Sequence, residues 1–165
     1  MNEADDFEGI YRGYVRQIYS FIYRIVGNRS DTEDLTSEVF FRFYKKRKHY
    51  EERGKMLSYL FRIAHNAAID HFRRKKETIS YDDRIAVDED FDIPDTPEET
   101  AAERLEMLSA IERMKPVERE ILTLYYLEEM SVKQICRIIG KNESAVKTAL
   151  YRARHSLQKE VSYGK

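Results

Sequence analysis

Apolar residues recur at intervals of three and four along most of this chain, the spacing that gives a helix one buried face. The pattern predicts a first helix over about Asp5 to Val26, and Gly27 with Asn28 is predicted to end it. The apolar stripe of this helix consists of Phe7, Ile10, Tyr14, Ile18, Phe21, Ile22 and Ile25.

Two further helices complete a first group of three. Ser30 and Glu33 have capping-box spacing and are predicted to begin the second helix, whose end at Lys45–Lys48 is basic, as suits a helix C-terminus. A third helix is predicted over roughly Met56 to Lys75, after a loop around Tyr50 to Lys55. Such helices can close one small core, which we expect to contain Leu35, Val39, Phe40, Phe43, Leu60, Ile63, Ala64, Ala67 and Ile69.

Residues 77 to about 95 have no helical period. They are acidic, contain Pro94 and are followed by Pro97, so we interpret them as a flexible tether. A helix is predicted to begin with Thr96 as N-cap and Glu99 closing a capping box, and to run towards Met114. Pro116 is predicted to begin another helix, with Ile121, Leu122 and Leu124 on its apolar side.

The stretch from Val132 to Tyr151 has the spacing of a helix-turn-helix. Cys136 is small enough for two helices to cross closely, Gly140 suits a left-handed turn, and Val146 is placed to fix the second helix on the first. Ser131 and Gln134 are predicted to cap the first helix of the pair. The remaining apolar positions are Ile135, Ile139, Ala149 and Leu150.

The second helix of this pair carries hydroxyl, amine and guanidinium groups that accept or donate hydrogen bonds at phosphates and base edges. Two short packed helices also occur in proteins that never bind DNA, and Glu143 runs against the cationic pattern. The polar side nevertheless favours a helix that enters the major groove. The side chains predicted to project outward are Ser144, Lys147, Thr148, Tyr151, Arg152 and Arg154.

Charge is strongly segmented although the whole chain has a net charge of −1. Residues 1–76 and 104–165 are basic, whereas residues 77–103 contain 11 acidic residues and one arginine. The sequence therefore predicts an all-α protein with two small helical domains, residues 1–76 and 97–165, joined by an acidic flexible linker at 77–96. Charged residues that merely solvate helix faces are the alternative explanation.

Composition and motif content argue against several classes of protein. No apolar run approaches the roughly 18 residues of a membrane span, so no membrane insertion is expected. One cysteine excludes an internal disulfide and suits the cytoplasm. The four histidines have no metal-site spacing, no phosphate-binding or dinucleotide motif occurs, and the paired acids lie in the tether. We therefore expect no metal, no cofactor and no catalytic activity.

Three blocks of the sequence occur in a specific order: Asp31 to Phe40, Tyr59 to Asp70, and the helix-turn-helix with Arg152 to Arg154 behind it. With the acidic segment between the second and third blocks, the chain resembles the extracytoplasmic-function sigma factors of the sigma-70 family. These are small two-domain initiation subunits of bacterial RNA polymerase. The resemblance covers almost the whole chain, and it departs from the family's pattern at Tyr59, where tryptophan is frequent, and at Cys136, where alanine is usual.

The resemblance implies an alternative sigma factor that binds core RNA polymerase, directs it to −35/−10 promoters and assists melting. The second helix then resembles region 2.2, which docks on the clamp helices of the largest polymerase subunit. Phe41 lies off the apolar stripe, which favours an interface role, with packing against the first helix as the alternative. The implied polymerase-binding residues are Asp34, Glu38, Phe41, Arg42 and Lys45.

By the same resemblance, residues from Tyr50 to Arg74 match regions 2.3 and 2.4, which open the −10 element with aromatic faces and cations. Asn66 matches a position near the captured non-template base. Tyr59, Leu60 and Ile63 also suit a core, and for the last two we expect core packing. The implied −10 residues are Lys55, Tyr59, Phe61, Arg62, Asn66, Arg73 and Arg74.

The C-terminal domain resembles region 4, which reads the −35 element through the six outward residues of the helix-turn-helix. The family further implies promoter DNA as a partner and an anti-sigma factor, often membrane-bound, as an inhibitor. The linker is implied to run through the RNA exit path of the polymerase, with a solubilising spacer as the alternative. Two other functions stay open: a stand-alone helix-turn-helix regulator, and an interaction protein that does not bind DNA.

Overall fold

The structure is a computed structural model that describes residues 6–50, 55–75 and 100–163. Every regular element in these ranges is helical, and the chain divides into two compact units near Thr78. The predicted all-α fold with two helical domains is confirmed. The predicted linker, residues 77–96, and Gly54 lie outside the described residues. No helix of the described ranges is long and apolar enough to cross a membrane.

The first unit contains three helices. Helix α1 spans Phe7–Val26, α2 spans Arg29–Lys46 and continues into a 3₁₀ turn at Arg47–His49, and α3 spans Met56–Arg74. Gly27 ends α1 with φ of 80°, a left-handed conformation that glycine adopts without strain. The fully buried side chains include Ile18, Phe21, Ile22, Ile25, Val39, Phe43, Leu60, Phe61, Ala64 and Ala67.

The beginning of α2 differs from the sequence prediction. Asn28, rather than Ser30, is the N-cap, and its side-chain oxygen accepts a hydrogen bond from the Asp31 amide at 2.8 Å. The predicted partner Glu33 instead accepts from Arg29 at 2.8 Å, one helical turn back. An asparagine caps a helix as well as a serine does, and the helix gains two residues by beginning earlier.

An ionic cluster at the N-terminal end of α2 ties that helix to the end of α3. Asp31 accepts hydrogen bonds from Asn28 Nδ2 and from Lys75 Nζ, both at 2.6 Å. His71 Nε2 lies 3.4 Å from the same Asp31 oxygen. The hydrogen bonds from Asn28 and Lys75 lower the pKa of the Asp31 carboxyl below its ordinary value, so its charged form favours this packing.

The second unit contains α4 at Ala101–Glu112, α5 at Pro116–Leu122, α6 at Val132–Ile139 and α7 at Glu143–Tyr163. A π-helical segment, Thr123–Leu127, continues α5. The predicted start of α4 at Thr96 is wrong: Thr100 is the N-cap in an extended conformation and forms a capping box with Glu103. Two similar Thr-x-x-Glu patterns follow each other in the sequence, and the one at Thr96 lies outside the described residues.

The helix-turn-helix geometry agrees with the sequence. Ser131 and Gln134 form a capping box at the start of α6, and Gly140 ends it with φ of 70°. The Asn142 side chain then accepts a hydrogen bond from the Ala145 amide at 2.8 Å in the first turn of α7. The core of this unit includes Ile111, Ile121, Leu122, Leu124, Ile135, Val146, Leu150 and Ala153.

Candidate functional site

The outward side of α2 carries an exposed aromatic ring. Phe41 is 58% exposed although its neighbours Phe40 and Phe43 are buried. Its exposure rules out the alternative that Phe41 is buried against α1. Lys45 Nζ lies 4.5 Å from the centre of the ring, and Asp34, two turns before Phe41, is also exposed. The result is an aromatic ring with charge on either side, a combination frequent at the centre of protein interfaces.

Beside Phe41, a chain of ion pairs joins α2 to α3. Arg42 Nη2 donates to Glu38 Oε1 at 2.6 Å and to Asp70 Oδ2 at 3.1 Å. The other Glu38 oxygen lies 3.7 Å from Arg74 Nη2. Burial lowers the pKa of the Arg42 guanidinium, but the hydrogen bonds that it donates to Glu38 and Asp70 outweigh that effect and raise the pKa. Arg42 is therefore held firmly as a cation by two carboxylates.

One side of α3 is polar, and all of its charged residues except Asp70 are cationic. Four of its residues follow one another at separations of three, four and seven: Tyr59, Arg62, Asn66 and Arg73. Because an α-helix turns by about 100° per residue, these four lie within about 60° of one another around the helix axis. Arg62, Asn66 and Arg73 are exposed, as is Lys55 just before the helix. The opposite side holds Leu60, Ala64 and Ala67, which are fully buried. The apolar core thus leaves this polar side facing outward.

Tyr59 belongs to a small aromatic group at the start of this polar side. Its ring centre lies 5.0 Å from that of Tyr50 and 6.1 Å from that of Phe43. Tyr59 is half-buried, and this burial raises the pKa of its hydroxyl above the ordinary value, against the opposing charge of Arg62. Lys55, four residues before Tyr59, and Arg62, three residues after it, are both exposed. The start of α3 therefore combines aromatic rings with two cations.

Phe61 does not belong to this surface, and its assignment as a −10 residue is wrong. The side chain is fully buried, and its ring centre lies 4.7 Å from that of Phe21 on α1. Phe61 follows Tyr59 by two residues, which turns it about 200° round the helix and into the core. Phe72, another aromatic residue of α3, is also buried.

In the second unit, α7 presents a polar and aromatic surface. Ser144 and Tyr151 are exposed, whereas Lys147, Arg152 and Arg154 are half-buried. His155 is also exposed, and its ring is parallel to that of Tyr151 with centres 6.4 Å apart. His155 is not among the outward-facing residues predicted from the sequence, although its spacing of four residues from Tyr151 is the signal for such a pair.

Thr148 departs from the expectation that six side chains of α7 project outward. It is only 2% exposed, although helical spacing places it on the same side as Ser144 and Tyr151. Its burial is set by the tertiary surroundings, which helical spacing does not report. A contact between Thr148 and DNA stays a prediction, and it now requires the side chain to become accessible.

Within the described residues, neither the Cys136 thiol nor a group of metal-binding side chains forms a second candidate site. Burial, followed by the charge of Glu143, raises the pKa of the Cys136 thiol, which disfavours the reactive thiolate. Cys136 is half-buried, less enclosed than the spacing predicts. Within the described ranges, no group of three or more His, Cys, Asp or Glu side chains is arranged to hold a metal ion.

Asp70 is the residue that sequence reasoning missed at the α2 surface. The Glu38–Arg42 pair is visible in the sequence because the two residues are four apart. Asp70 is 28 residues from Arg42 and meets it only because α2 and α3 pack together. The only sign of this contact in the sequence is that Asp70 is an acidic residue within an otherwise basic stretch.

Comparison with known proteins agrees with these two units. Residues 10–78 match Sigma-70 region 2, and residues 104–157 match Sigma-70, region 4. The first match spans most of α1 and all of α2 and α3. The second match runs from within α4 into α7, and it includes the whole helix-turn-helix.

Characterised relatives have the same organisation. The chain is 34% identical over 159 residues to the ECF RNA polymerase sigma factor BldN of Streptomyces coelicolor, covering 94% of this chain and 60% of the relative. It is 29% identical over 169 residues to the ECF RNA polymerase sigma factor SigW of Bacillus subtilis, covering 96% and 90%.

The fold also matches a solved structure, that of the sigma factor RpoE in complex with the anti-sigma factor NepR from Bartonella quintana. The TM-score is 0.70 at 18% identity, with 97% of this chain and 99% of that chain covered. At this identity the match supports the fold. Together with the matched regions and the relatives, it shows that the chain belongs to the sigma-70 family, as an ECF RNA polymerase sigma factor.

Proposed function

We propose that this sigma factor docks on core RNA polymerase through the outward side of α2, opens the −10 element with the polar side of α3, and reads the −35 element with α7. The observation that carries the proposal is the polar side of α3. Opposite a complete core, this side combines an aromatic ring, an amide and cations, the groups that bind unpaired bases and phosphates: Tyr59, Asn66, Arg62 and Arg73.

Docking on the polymerase uses Phe41 as its anchor. Phe41 has the largest exposed fraction of the aromatic residues of this helix, and an aromatic ring has a large apolar area to bury in a complex. Lys45 and Asp34 supply exposed charges of both signs around it, and Glu38 and Arg42 supply the half-buried ones. Charges around an apolar centre fix the orientation of a partner more than they add affinity.

At the −10 element, the chemistry of α3 suits unpaired bases. Tyr59 offers a face on which a base stacks, and tyrosine does this in place of the tryptophan frequent in the family. Asn66 offers both a donor and an acceptor for one base edge. The exposed cations Lys55, Arg62, Arg73 and Arg74 hold the strand's phosphates. Phe61 has no part in this contact.

At the −35 element, α7 enters the major groove with its N-terminal end first. Ser144 and Lys147 lie in that end and are placed for base edges, whereas Arg152 and Arg154 lie two turns later and are placed for phosphates. The rigid turn at Gly140 and Asn142 fixes the angle at which α7 leaves α6.

We further propose that an anti-sigma factor holds this chain until a signal releases it. Solved structures with a similar fold include the sigma factor RpoE in complex with the anti-sigma factor NepR, and CnrH in complex with the cytosolic domain of CnrY. A membrane-bound inhibitor is consistent with the last of these. The sigma factor itself would act by binding rather than by catalysis, in the cytoplasm where polymerase and promoter DNA meet.

The proposed domains are residues 1–76 and 97–165 with the acidic linker 77–96 between them. The division of the chain near Thr78 and the matched ranges 10–78 and 104–157 support these boundaries. Because this linker is acidic, DNA phosphates repel it and a basic channel such as an RNA exit path attracts it.

Run-off transcription with core polymerase and a library of promoter fragments tests the proposal. We expect specific transcripts only when the chain is added, with an open bubble at the −10 element. Binding of duplex DNA without any effect on polymerase would indicate a stand-alone regulator. If the chain bound neither duplex DNA nor polymerase, the remaining function would be that of an interaction protein.

A further inference from the structure

The exposed stripe of α7 continues beyond the residues that the proposed function assigns to the −35 element. Ser144, Tyr151 and His155 are all exposed, and at about 100° per residue they lie within about 40° of one another around the helix axis. Lys159, one turn further, is also exposed and lies about 40° from His155. The stripe therefore carries a histidine, a side chain that ordinarily changes its charge between about pH 5 and 8.

Cations accompany His155 on its own helix. Arg152 and Lys159 lie about 60° and 40° from it around the axis, and Arg154 precedes it directly. The imidazole ring is parallel to that of Tyr151, with 8° between the ring planes and 6.4 Å between the centres. This part of α7 is consequently attractive to an anion that approaches the exposed stripe.

The helices packed against α7 direct charged groups at other sides of it. Glu118 of α5 accepts a hydrogen bond from the hydroxyl of Ser156 at 2.8 Å, about 100° round the axis from His155. Arg113 of α4 donates to Glu160 at 3.2 Å, about 140° round the axis. The carboxylates of both contacts therefore lie away from the stripe.

We infer that His155 is a protonation-dependent phosphate contact at the −35 element: as an imidazolium it donates a hydrogen bond to a DNA backbone oxygen one turn beyond Tyr151. As a neutral imidazole it adds little to binding. The inference rests on the proposed function of α7 and deepens it, because it makes −35 recognition depend on pH.

The direction of the dependence follows from charge. A phosphate beside an imidazole favours the charged form of the ring, so DNA binding through this contact takes up a proton. Affinity is then higher in mild acid and falls as the pH rises through the ordinary histidine range. Contacts between exposed charges are weak, so we expect a change of about two- to five-fold. One extra phosphate contact should also steepen the logarithmic salt dependence of binding by about 0.9 in acid.

Duplex binding by the full-length chain tests the inference. The probe is a labelled duplex that carries the −35 element of a promoter transcribed in the run-off experiment and ends before its −10 element. Fluorescence anisotropy is measured over several salt concentrations at about pH 5.5 and about pH 8, on either side of the histidine range. Wild type should bind more tightly, and with the steeper salt dependence, at the lower pH.

Two substitutions fix the charge at this position. His155→Gln should bind as wild type does at the higher pH and should lose the gain in acid, whereas His155→Arg should keep the tighter binding at both values. His49→Gln is the matched control, because His49 is an exposed histidine of the first unit and its removal should leave the pH dependence intact.

A pH dependence that persists in His155→Gln, or a salt dependence equal at both pH values in wild type, would overturn the phosphate contact. An equal loss of affinity at both pH values, together with a lower unfolding temperature, would make His155 a structural residue and overturn it as well. If wild type bound the −35 duplex at neither pH, the proposed role of α7 would fail, and the inference with it.

Discussion

The ammonium group of Lys45 lies over the ring of Phe41, 4.5 Å from its centre, on the outward side of α2. The pair leaves more than half of the aromatic side chain in contact with water while the rest of the helix packs normally. Among the aromatic residues of the described ranges, Phe41 has the largest exposed fraction. The contact also pre-orients a cation beside the apolar anchor, before any partner arrives.

Phe41→Ala should weaken binding to core polymerase about 30-fold, the loss of about 2 kcal/mol expected for an aromatic anchor at the centre of an interface. The stability of the free chain should change little because the ring is exposed. A fluorescence titration with labelled core polymerase measures the first quantity and thermal unfolding the second. Tyr23→Ala, on a comparably exposed ring of α1, is the control. Wild-type affinity of Phe41→Ala would exclude this docking surface.

Asn66→Ala should impair −10 selection and promoter opening while leaving −35 duplex binding unchanged. The side chain is exposed in the middle of α3, so its removal should cost stability less than about 0.5 kcal/mol. Permanganate footprinting reports the unpaired thymines of the bubble directly. A normal bubble together with an unchanged −10 preference would reduce Asn66 to an ordinary surface residue of α3.

Lys147→Ala and Arg152→Ala should affect −35 binding differently. The first should change which bases are preferred, with a loss of about 1–3 kcal/mol in discrimination if Lys147 makes a good base contact. The second, and likewise Arg154→Ala, should weaken binding to all promoters alike and flatten the dependence on salt. Binding series over single-base promoter variants and several salt concentrations separate the two outcomes. A uniform loss from Lys147→Ala would move that residue to the phosphate contacts.

Gly140→Ala should destabilise the second unit by about 1–2 kcal/mol, since a residue with a Cβ is strained at φ of 70°. Space is not the cause, because nothing lies within 4 Å of a Cβ added there. Gly13→Ala is a matched control: it is equally open but lies within α1, where alanine should stabilise by about 0.5–1 kcal/mol. Thermal unfolding of both variants measures the difference. If both substitutions changed the stability in the same direction, the result would contradict a left-handed conformation at Gly140.

Asp31→Asn should lower stability at neutral pH by about 0.5–1 kcal/mol and have progressively less effect in acid. The hydrogen bonds from Asn28 and Lys75 lower the folded-state pKa of this carboxyl, so its stabilising effect is complete above about pH 4, the ordinary range of an aspartate. It is then lost as the pH falls through the lowered value. Urea unfolding at several pH values checks the trend. A difference from wild type that stays constant into acid would assign the effect to packing.

The sequence predicts the helices well because their apolar spacing and end signals agree. The stripe from Ile10 to Ile25, the capping box at Ser131 and the glycine at 140 all have local causes, and local causes are visible in a sequence. The two displaced helix starts, at Asn28 and Thr100, arise where two capping signals lie close together. A choice between adjacent caps depends on packing, which spacing does not show.

The site was less predictable because surface and core alternate within one turn of α3. Tyr59 and Phe61 are both aromatic and only two residues apart, yet Tyr59 is half-buried beside Tyr50 whereas Phe61 is fully buried against Phe21. Helical spacing separates them once the side of α3 that carries Leu60 and Ala64 is recognised as the core. The burial of Thr148 and the Arg42–Asp70 contact depend on residues far apart in the chain, and no pattern along the sequence reports them.

The aromatic group around Tyr59 has an optical consequence. The chain has no tryptophan, so its intrinsic emission comes from tyrosines alone. Tyr59 is half-buried and lies beside Tyr50 and Phe43. A Tyr59→Trp chain would therefore carry a single spectroscopic reporter at the point where a base is proposed to stack, and its quenching by added DNA would follow strand capture in real time.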